Sequence, residues 1–166
     1  MRAMALLFLA GFVLASKPVI AAEPLAGSVL PADAVIFDGT AVLVLLSQCS
    51  RETPPPGEGT WQPSASDIVE LEAALPAVLA ARYPNLTDLS AAPQGWRRQY
   101  VGIVRGGRRF IYGNFLPVMS VGSLRPDSDR WRREPVEVCD GGPSFFGVEY
   151  DVEGRHFTQI AFNGIA

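Results

Sequence analysis

Residues 100–115 read YVGIVRGGRRFIYGNF, two largely apolar stretches on either side of a glycine pair. Residues 100–104 and 110–115 show the period of two that is typical of β-strands. Gly106 and Gly107 lie between them, and a glycine pair suits a tight hairpin turn because both residues can adopt positive φ. The stretch therefore predicts two long antiparallel strands.

One helix is predicted upstream, over residues 67–83. Ser64 or Ser66 can cap it, and Asp67 adds negative charge to its N-terminal end. Helical spacing relates a set of side chains on one face: Ile68, Leu71, Leu75, Val78, Leu79 and Arg82. Pro76 lies inside this pattern, so a kink or a division into two short pieces is expected there, and Pro84 ends the helix.

Downstream, residues 136–139 are a shorter candidate strand, and a second hairpin ends the chain. A three-residue loop, 152–154, with Gly154 in the left-handed conformation would place Asp151 opposite Arg155 and Tyr150 opposite His156. One face of this hairpin is then core: Phe146, Val148, Tyr150, Thr158 and Ile160. The other face is predicted to be exposed: Glu149, Asp151, Arg155 and Gln159.

These elements predict an α+β domain, with one Pro-kinked helix packed on an antiparallel sheet of about four to five strands. Cystatin-like and similar helix-on-sheet folds have this order of elements. Residues 23–166 are taken as one domain, made of an N-terminal strand region (23–50), a Pro/Gly-rich connector (51–65) and the helix with the sheet (66–166). The apolar run 41–46 is interpreted as a buried strand.

The N-terminus has the three-part pattern of a secretory signal peptide over residues 1–22, with Arg2, an apolar stretch over 5–15 and small residues before residue 23. A permanent anchor is disfavoured because the apolar stretch is about half the ~20 residues that cross a bilayer. A lipoprotein site at Cys49 is disfavoured because Gln48 is bulky. The chain is expected to be exported, periplasmic or secreted, without a membrane span after cleavage.

Cys49 and Cys139 are the two cysteines of the chain. In an oxidising compartment they are expected to form a disulfide bond. The alternative is a reactive thiol, whose pKa would have to be lowered by a neighbouring group such as Arg51.

Arginine is concentrated between Arg97 and Arg133, where nine of the chain's arginines lie. With the neighbouring aromatic residues they form a candidate binding surface: Arg97, Arg98, Arg105, Arg108, Arg109, Trp96 and Trp131. Such a surface suits an acidic protein or an anionic envelope glycan. The net charge of −3 and the compartment disfavour nucleic acid. The alternative is that these arginines pair with the chain's own carboxylates.

Catalytic residues are not assigned, although three side chains are weak candidates. His156 is the single histidine. Glu149 and Asp151 project together, as a glycosidase pair would require, but a solvated sheet face also explains them. No cofactor and no metal are predicted. The sequence has no Cys/His cluster with the spacing of a zinc site. Asp127 and Asp129 could bind calcium, but they are equally well explained as part of a polar loop.

Four stretches resemble a group of uncharacterised small exported proteobacterial proteins: LEAALP (71–76), RQYVGIV (98–104), RFIYGN (109–114) and VCDGGP (138–143). The resemblance extends from about residue 49 to the C-terminus. It implies export and a single domain, and it implies no activity.

The expected function is that of a non-catalytic exported binding module, such as an inhibitor or an immunity-type protein. Two alternatives stay open: a small cell-envelope hydrolase acting through His156 or the acidic pair, and a structural or envelope-stress protein.

Overall fold

The computed structural model describes residues 27–118 and 129–165, so the expected signal peptide, 1–22, lies outside the described residues. Its six strands form one sheet: β1 (Ala34–Ile36), β2 (Gly59–Trp61), β3 (Trp96–Arg105), β4 (Arg108–Pro117), β5 (Phe146–Asp151) and β6 (His156–Phe162). Two α-helices are described, α1 (Val42–Leu46) and α2 (Ala65–Arg82). Four short 3-10 turns complete the described elements: Gly39–Ala41, Thr87–Ala91, Arg130–Arg132 and Gly142–Ser144. The predicted α+β class is confirmed.

The order of the sheet is β1-β3-β4-β5-β6, and β2 also pairs with β3. β1 is parallel to β3 at its first half, whereas β2 is antiparallel to β3 at its second half. These two three-residue strands account for the difference from the predicted four to five strands.

The predicted central hairpin is confirmed. β3 and β4 pair over their whole lengths, from Trp96 opposite Pro117 to Arg105 opposite Arg108. Gly106 and Gly107 form the turn with φ values of 57° and 71°. Two successive residues with positive φ are the requirement of a type I′ turn, and glycine adopts this conformation without steric strain.

Helix α2 covers one face of the sheet. It begins with a capping box in which the Ser64 hydroxyl accepts from the Asp67 N–H and the Asp67 carboxylate accepts from the Ser64 N–H. Its buried leucines and Ile68 pack on aromatic and aliphatic side chains of β3, β4 and β5. The helix is uninterrupted across Pro76, so the alternative of two short pieces is wrong. Leu75 and Leu79 continue the buried stripe on both sides of this proline, and that packing offsets the hydrogen bond which proline cannot donate.

The opposite face of the sheet is covered by residues 39–46, and the predicted strand over 41–46 is wrong. The segment forms a 3-10 turn followed by α1. Val42, Leu45 and Leu46 are buried against Val101 and Ile103 of β3. A short apolar run fits either structure, and only the burial at a spacing of three to four residues distinguishes this helix from a strand. The domain therefore has three layers, with the sheet in the middle.

The register predicted for the last hairpin is wrong at its loop. Asp151 pairs with His156 and Tyr150 with Phe157, so the loop has four residues, 152–155. Arg155, with φ of 52°, adopts the left-handed conformation that was predicted for Gly154. A register shift between Glu149 and Tyr150 then pairs Val148 with Ile160, whereas the predicted register pairs Val148 with Thr158.

The faces of this hairpin follow from that register. Phe146 and Val148 are buried and Ile160 is partly buried, as predicted. Phe157, rather than Thr158, lies in the core beside Tyr150, and Thr158 is exposed. Glu149 and Asp151, which were predicted to be exposed, are only 3% and 1% exposed.

The connector 51–65 is part of the folded domain, although its Pro/Gly-rich composition is typical of a linker. It contains β2, and Trp61 packs against the main core while its indole N–H donates to the Phe110 carbonyl at 3.0 Å. Pro54 is buried as well.

Residues 136–139 form no strand, contrary to the prediction. Side-chain amides replace a neighbouring strand there. The Val136 N–H donates to Gln99 Oε1 at 2.9 Å and its carbonyl accepts from Asn114 Nδ2 at 2.8 Å. The Val138 N–H donates to Gln48 Oε1 at 3.3 Å and its carbonyl accepts from Asn163 Nδ2 at 2.8 Å.

Strand β6 forms one edge of the sheet, and the C-terminal end of α2 reaches over it. Arg82 Nη2 donates to the Phe157 carbonyl and the Tyr83 hydroxyl donates to the Ile160 carbonyl, both at 3.3 Å. The Tyr83 ring also packs edge-on against Phe162, with centroids 4.8 Å apart. In the described part of the chain, no helix combines the length and the apolar character needed to cross a membrane.

Candidate functional site

The arginines of the β3–β4 turn pair with acids of the neighbouring hairpin. Arg105 Nη2 donates to Glu149 Oε2 at 2.7 Å and Arg109 Nε donates to Glu153 Oε1 at 2.7 Å. Arg108 forms an ion pair with Asp151. The antiparallel pairing of β4 with β5, which sets Phe110 opposite Asp151, brings both turns to the same end of the sheet.

Aromatic rings also contact two of these arginines. The guanidinium carbon of Arg105 lies 4.3 Å from the centroid of Phe110, and that of Arg109 lies 4.9 Å from Trp61. The turn arginines therefore bind to the protein itself, through acids and aromatic faces, as the alternative sequence interpretation described.

The candidate acidic pair is engaged by these arginines. Glu149 Oε2 also accepts from the Thr158 hydroxyl at 2.6 Å. Asp151 Oδ1 accepts from the Gly154 N–H at 2.9 Å. Burial alone raises the pKa of Asp151, but the Gly154 N–H and the Arg108 guanidinium together outweigh burial and hold this pKa below its ordinary value. Asp151 is therefore a charged group that stabilises the hairpin loop.

This assignment predicts an acid-sensitive contribution to stability. A carboxyl whose pKa is lower in the folded state stabilises the fold above its unfolded pKa, about 3.9, and loses that contribution as the pH falls through its folded pKa. We expect Asp151→Asn to lower the melting temperature at pH 7 and to show a smaller further loss below about pH 4 than the wild type. Thermal denaturation across this range tests the prediction, with the exposed Asp33→Asn as control. Parallel acid curves for wild type and Asp151→Asn would contradict it.

Arg98 is a buried residue of the helix–sheet interface, not of a surface. Its Nε donates to Glu72 Oε1 at 3.0 Å, and the Tyr100 hydroxyl donates to the same oxygen at 2.8 Å. Burial, and then the Glu72 carboxylate, raise the pKa of Tyr100 well above its ordinary value. Trp96 is also buried, and its indole N–H donates to the Ser144 carbonyl at 2.7 Å.

A different group of side chains surrounds Trp131, which is only 3% exposed. The guanidinium carbon of Arg97 lies 5.5 Å from the centroid of the Trp131 ring, and that of Arg132 lies 4.3 Å from it. We call Arg97, Trp131 and Arg132 the Trp131 surface. Among the residues that the structure describes, no carboxylate lies within 4.0 Å of the Arg97 guanidinium.

Arg132 is held in place at this surface. Its Nη2 donates to the Ala32 carbonyl at 2.6 Å, and its Nε lies 3.7 Å from Asp129 Oδ1. The Arg132 side chain is 40% exposed and the Asp129 side chain is 64% exposed. Asp127, the other half of the candidate calcium pair, lies outside the described residues.

His156 is exposed and lies opposite Asp151 across the last hairpin. A shallow cleft next to this hairpin is lined by Glu70, Tyr150 and Arg155. Glu70 Oε1 accepts from the Tyr150 hydroxyl at 3.0 Å and from Arg155 Nε at 3.1 Å. Burial and the Glu70 hydrogen bond raise the pKa of Tyr150 to about 12. The tyrosine is therefore a neutral donor at physiological pH.

Cys49 and Cys139 form the predicted disulfide bond, with Cα atoms 4.9 Å apart. Beneath it lies a buried polar network centred on Arg51, which sequence analysis considered only as a neighbour of the cysteine. Arg51 donates to Asn163 Oδ1 at 2.6 Å, to Asn114 Oδ1 at 2.5 Å and to the Tyr112 hydroxyl at 3.1 Å. These partners come from distant parts of the chain, so spacing along the sequence carries no sign of them.

Comparisons of the chain with protein-family models, with curated proteins and with solved structures find no match.

Proposed function

We propose that the chain is a non-catalytic exported binding module that recognises an acidic protein through the Trp131 surface. The observation that carries the proposal is the pair of guanidinium groups, Arg97 and Arg132, placed against one indole ring. The disulfide bond supports the exported part, because such bonds persist in oxidising compartments.

The arrangement favours carboxylate ligands. A guanidinium that lies against an aromatic ring can still offer N–H groups at its edge, and their fork matches the two oxygens of a carboxylate. Contact with the ring also restricts the long arginine side chain before a ligand arrives, which lowers the entropy cost of binding. Arg97 is half-buried, and its guanidinium contacts the Trp131 ring but no carboxylate among the described residues, so its charge is not neutralised there by an ion pair.

An acidic protein suits this surface better than an anionic glycan. Val118 has an apolar side chain that is 37% exposed. It lies two residues after Leu116, which pairs with Arg97 across the β3–β4 hairpin. Protein interfaces combine arginine with apolar contacts in this way. Each of the turn arginines Arg105, Arg108 and Arg109 has a carboxylate partner within the chain. At the Trp131 surface only Arg132 has one among the described residues, Asp129 at 3.7 Å.

The test compares two double variants with the same change in charge. Arg97→Glu with Arg132→Glu reverses the charge of the Trp131 surface. Arg108→Glu with Arg109→Glu reverses the charge of the β3–β4 turn. Poly-L-glutamate is the probe, and polygalacturonate, a carboxylate polymer made of sugar, is the comparison. We expect the wild type to prefer poly-L-glutamate, with binding that weakens as salt rises.

Reversal of the Trp131 surface should weaken binding by about tenfold or more, because one charge-assisted hydrogen bond contributes about 1.5–3 kcal/mol. The turn variant should keep most of its affinity and lose stability instead. Circular dichroism identifies a temperature at which both variants are folded. Equal weakening in the two variants, or equal binding of the two polymers, would contradict the proposal.

A further inference from the structure

The carboxylate of Glu137 lies beside the disulfide bond. One oxygen of Glu137 and the two sulfur atoms of Cys49 and Cys139 all lie within 4.8 Å of one another, and the three residues are exposed. Two thiolates and a carboxylate are a suitable ligand set for zinc. While the disulfide is intact, however, its sulfur atoms are not thiolate ligands.

We propose that reduction of this disulfide creates a zinc site formed by Cys49, Cys139 and Glu137. The reductant is a protein dithiol, which transfers two electrons and two protons to the disulfide and becomes a disulfide itself. Binding of Zn²⁺ to the two thiols then releases two protons. Water occupies the fourth position of a tetrahedral site with three protein ligands.

The backbone around both cysteines is held by contacts that do not involve the sulfur atoms. Gln48 is next to Cys49 in the chain. Its Nε2 donates to the Val136 carbonyl at 3.2 Å, and its Oε1 accepts from the Val138 N–H at 3.3 Å. Asn163 Nδ2 donates to the carbonyls on either side of Cys139, those of Val138 at 2.8 Å and Asp140 at 2.9 Å. The thiols are therefore expected to stay close together after reduction.

The required rearrangement is small. Zinc–sulfur distances of about 2.3 Å place two thiolates roughly 3.7 Å apart in a tetrahedral site. Because the Cα atoms are 4.9 Å apart and both side chains face solvent, rotation of the side chains can achieve this separation. Neither cysteine belongs to the two hydrophobic clusters, so we expect the core to stay packed after reduction.

The test uses the full chain, reduced under anaerobic conditions, with Co²⁺ as the spectroscopic probe and Zn²⁺ as the competitor. We expect a sulfur-to-cobalt charge-transfer band at one Co²⁺ per chain, its loss on addition of Zn²⁺, and no band with the oxidised protein. Glu137→Gln should weaken Co²⁺ binding by about tenfold or more. Asp140→Asn is the matched control, an exposed acid next to Cys139 that should bind as the wild type does.

Far-UV circular dichroism of the reduced protein is measured in parallel, and it should match the oxidised spectrum. Unfolding on reduction would overturn the proposal, because the amide contacts would then fail to hold the thiols. So would absence of the cobalt band, or equal affinity of Glu137→Gln and the wild type. None of these outcomes depends on the Trp131 surface.

Discussion

Val148→Asp is expected to leave the chain without a stable fold. Val148 lies on the face of β5 that α2 covers, and its side chain is fully buried. It is opposite Gly113 of β4 and Ile160 of β6. An ionised carboxylate without a partner costs several kcal/mol at such a position, and a domain of this size has a total stability of about 5–15 kcal/mol. Thermal and urea denaturation followed by circular dichroism measure the effect.

The matched control is Val29→Asp, the same substitution at a valine that is 83% exposed, where no measurable loss is expected. The comparison also tests the register of the last hairpin. A shift of one residue would place Val148 on the opposite face of the strand. An unchanged melting temperature for Val148→Asp would therefore show that the pairing of β5 is wrong.

Arg98→Met is expected to lower the free energy of unfolding by about 3–5 kcal/mol, because it leaves the buried Glu72 carboxylate without its cation. The Tyr100 hydroxyl remains as a donor to Glu72, but it carries no charge. Two backbone carbonyls, those of Pro93 and Trp96, also lose a hydrogen bond from Arg98 Nη1. Urea denaturation gives the free energy directly.

Two further variants make this prediction specific to the buried pair. Adding Glu72→Met to Arg98→Met should recover part of the loss, since no isolated charge is then buried. Arg130→Met breaks the exposed ion pair with Glu134 and should cost less than about 1 kcal/mol. Equal losses for Arg98→Met and Arg130→Met would contradict the assigned role of the buried pair.

Local patterns were sufficient for the central hairpin and for α2. Gly106 and Gly107 specify their turn through backbone conformation alone, and Ser64 with Asp67 specifies the start of the helix through neighbouring side chains. Residues 41–46 are different, because a run of six apolar residues has no period that separates a strand from a helix. Their structure depends on the sheet face that they cover.

The burial of Glu149 and Asp151 could not be predicted from alternation along β5. Alternation correctly places them on the face opposite Val148, but it does not show what covers that face. Arg105 and Arg108, more than forty residues earlier, provide the cover. For the same reason, spacing along the sequence does not show that the Arg97 and Arg132 guanidinium groups both lie against the Trp131 ring.

The contacts of Arg82 and Tyr83 with β6 determine where the sheet stops. An outer strand whose carbonyls are free can pair with a strand of another molecule, and this is a common route to aggregation. Here the carbonyls of Phe157 and Ile160 already accept hydrogen bonds from the end of α2, and the Tyr83 ring lies against Phe162. A second copy of the chain would have to displace these side chains before it could extend the sheet, so the end of one helix protects the molecule from self-association along this edge.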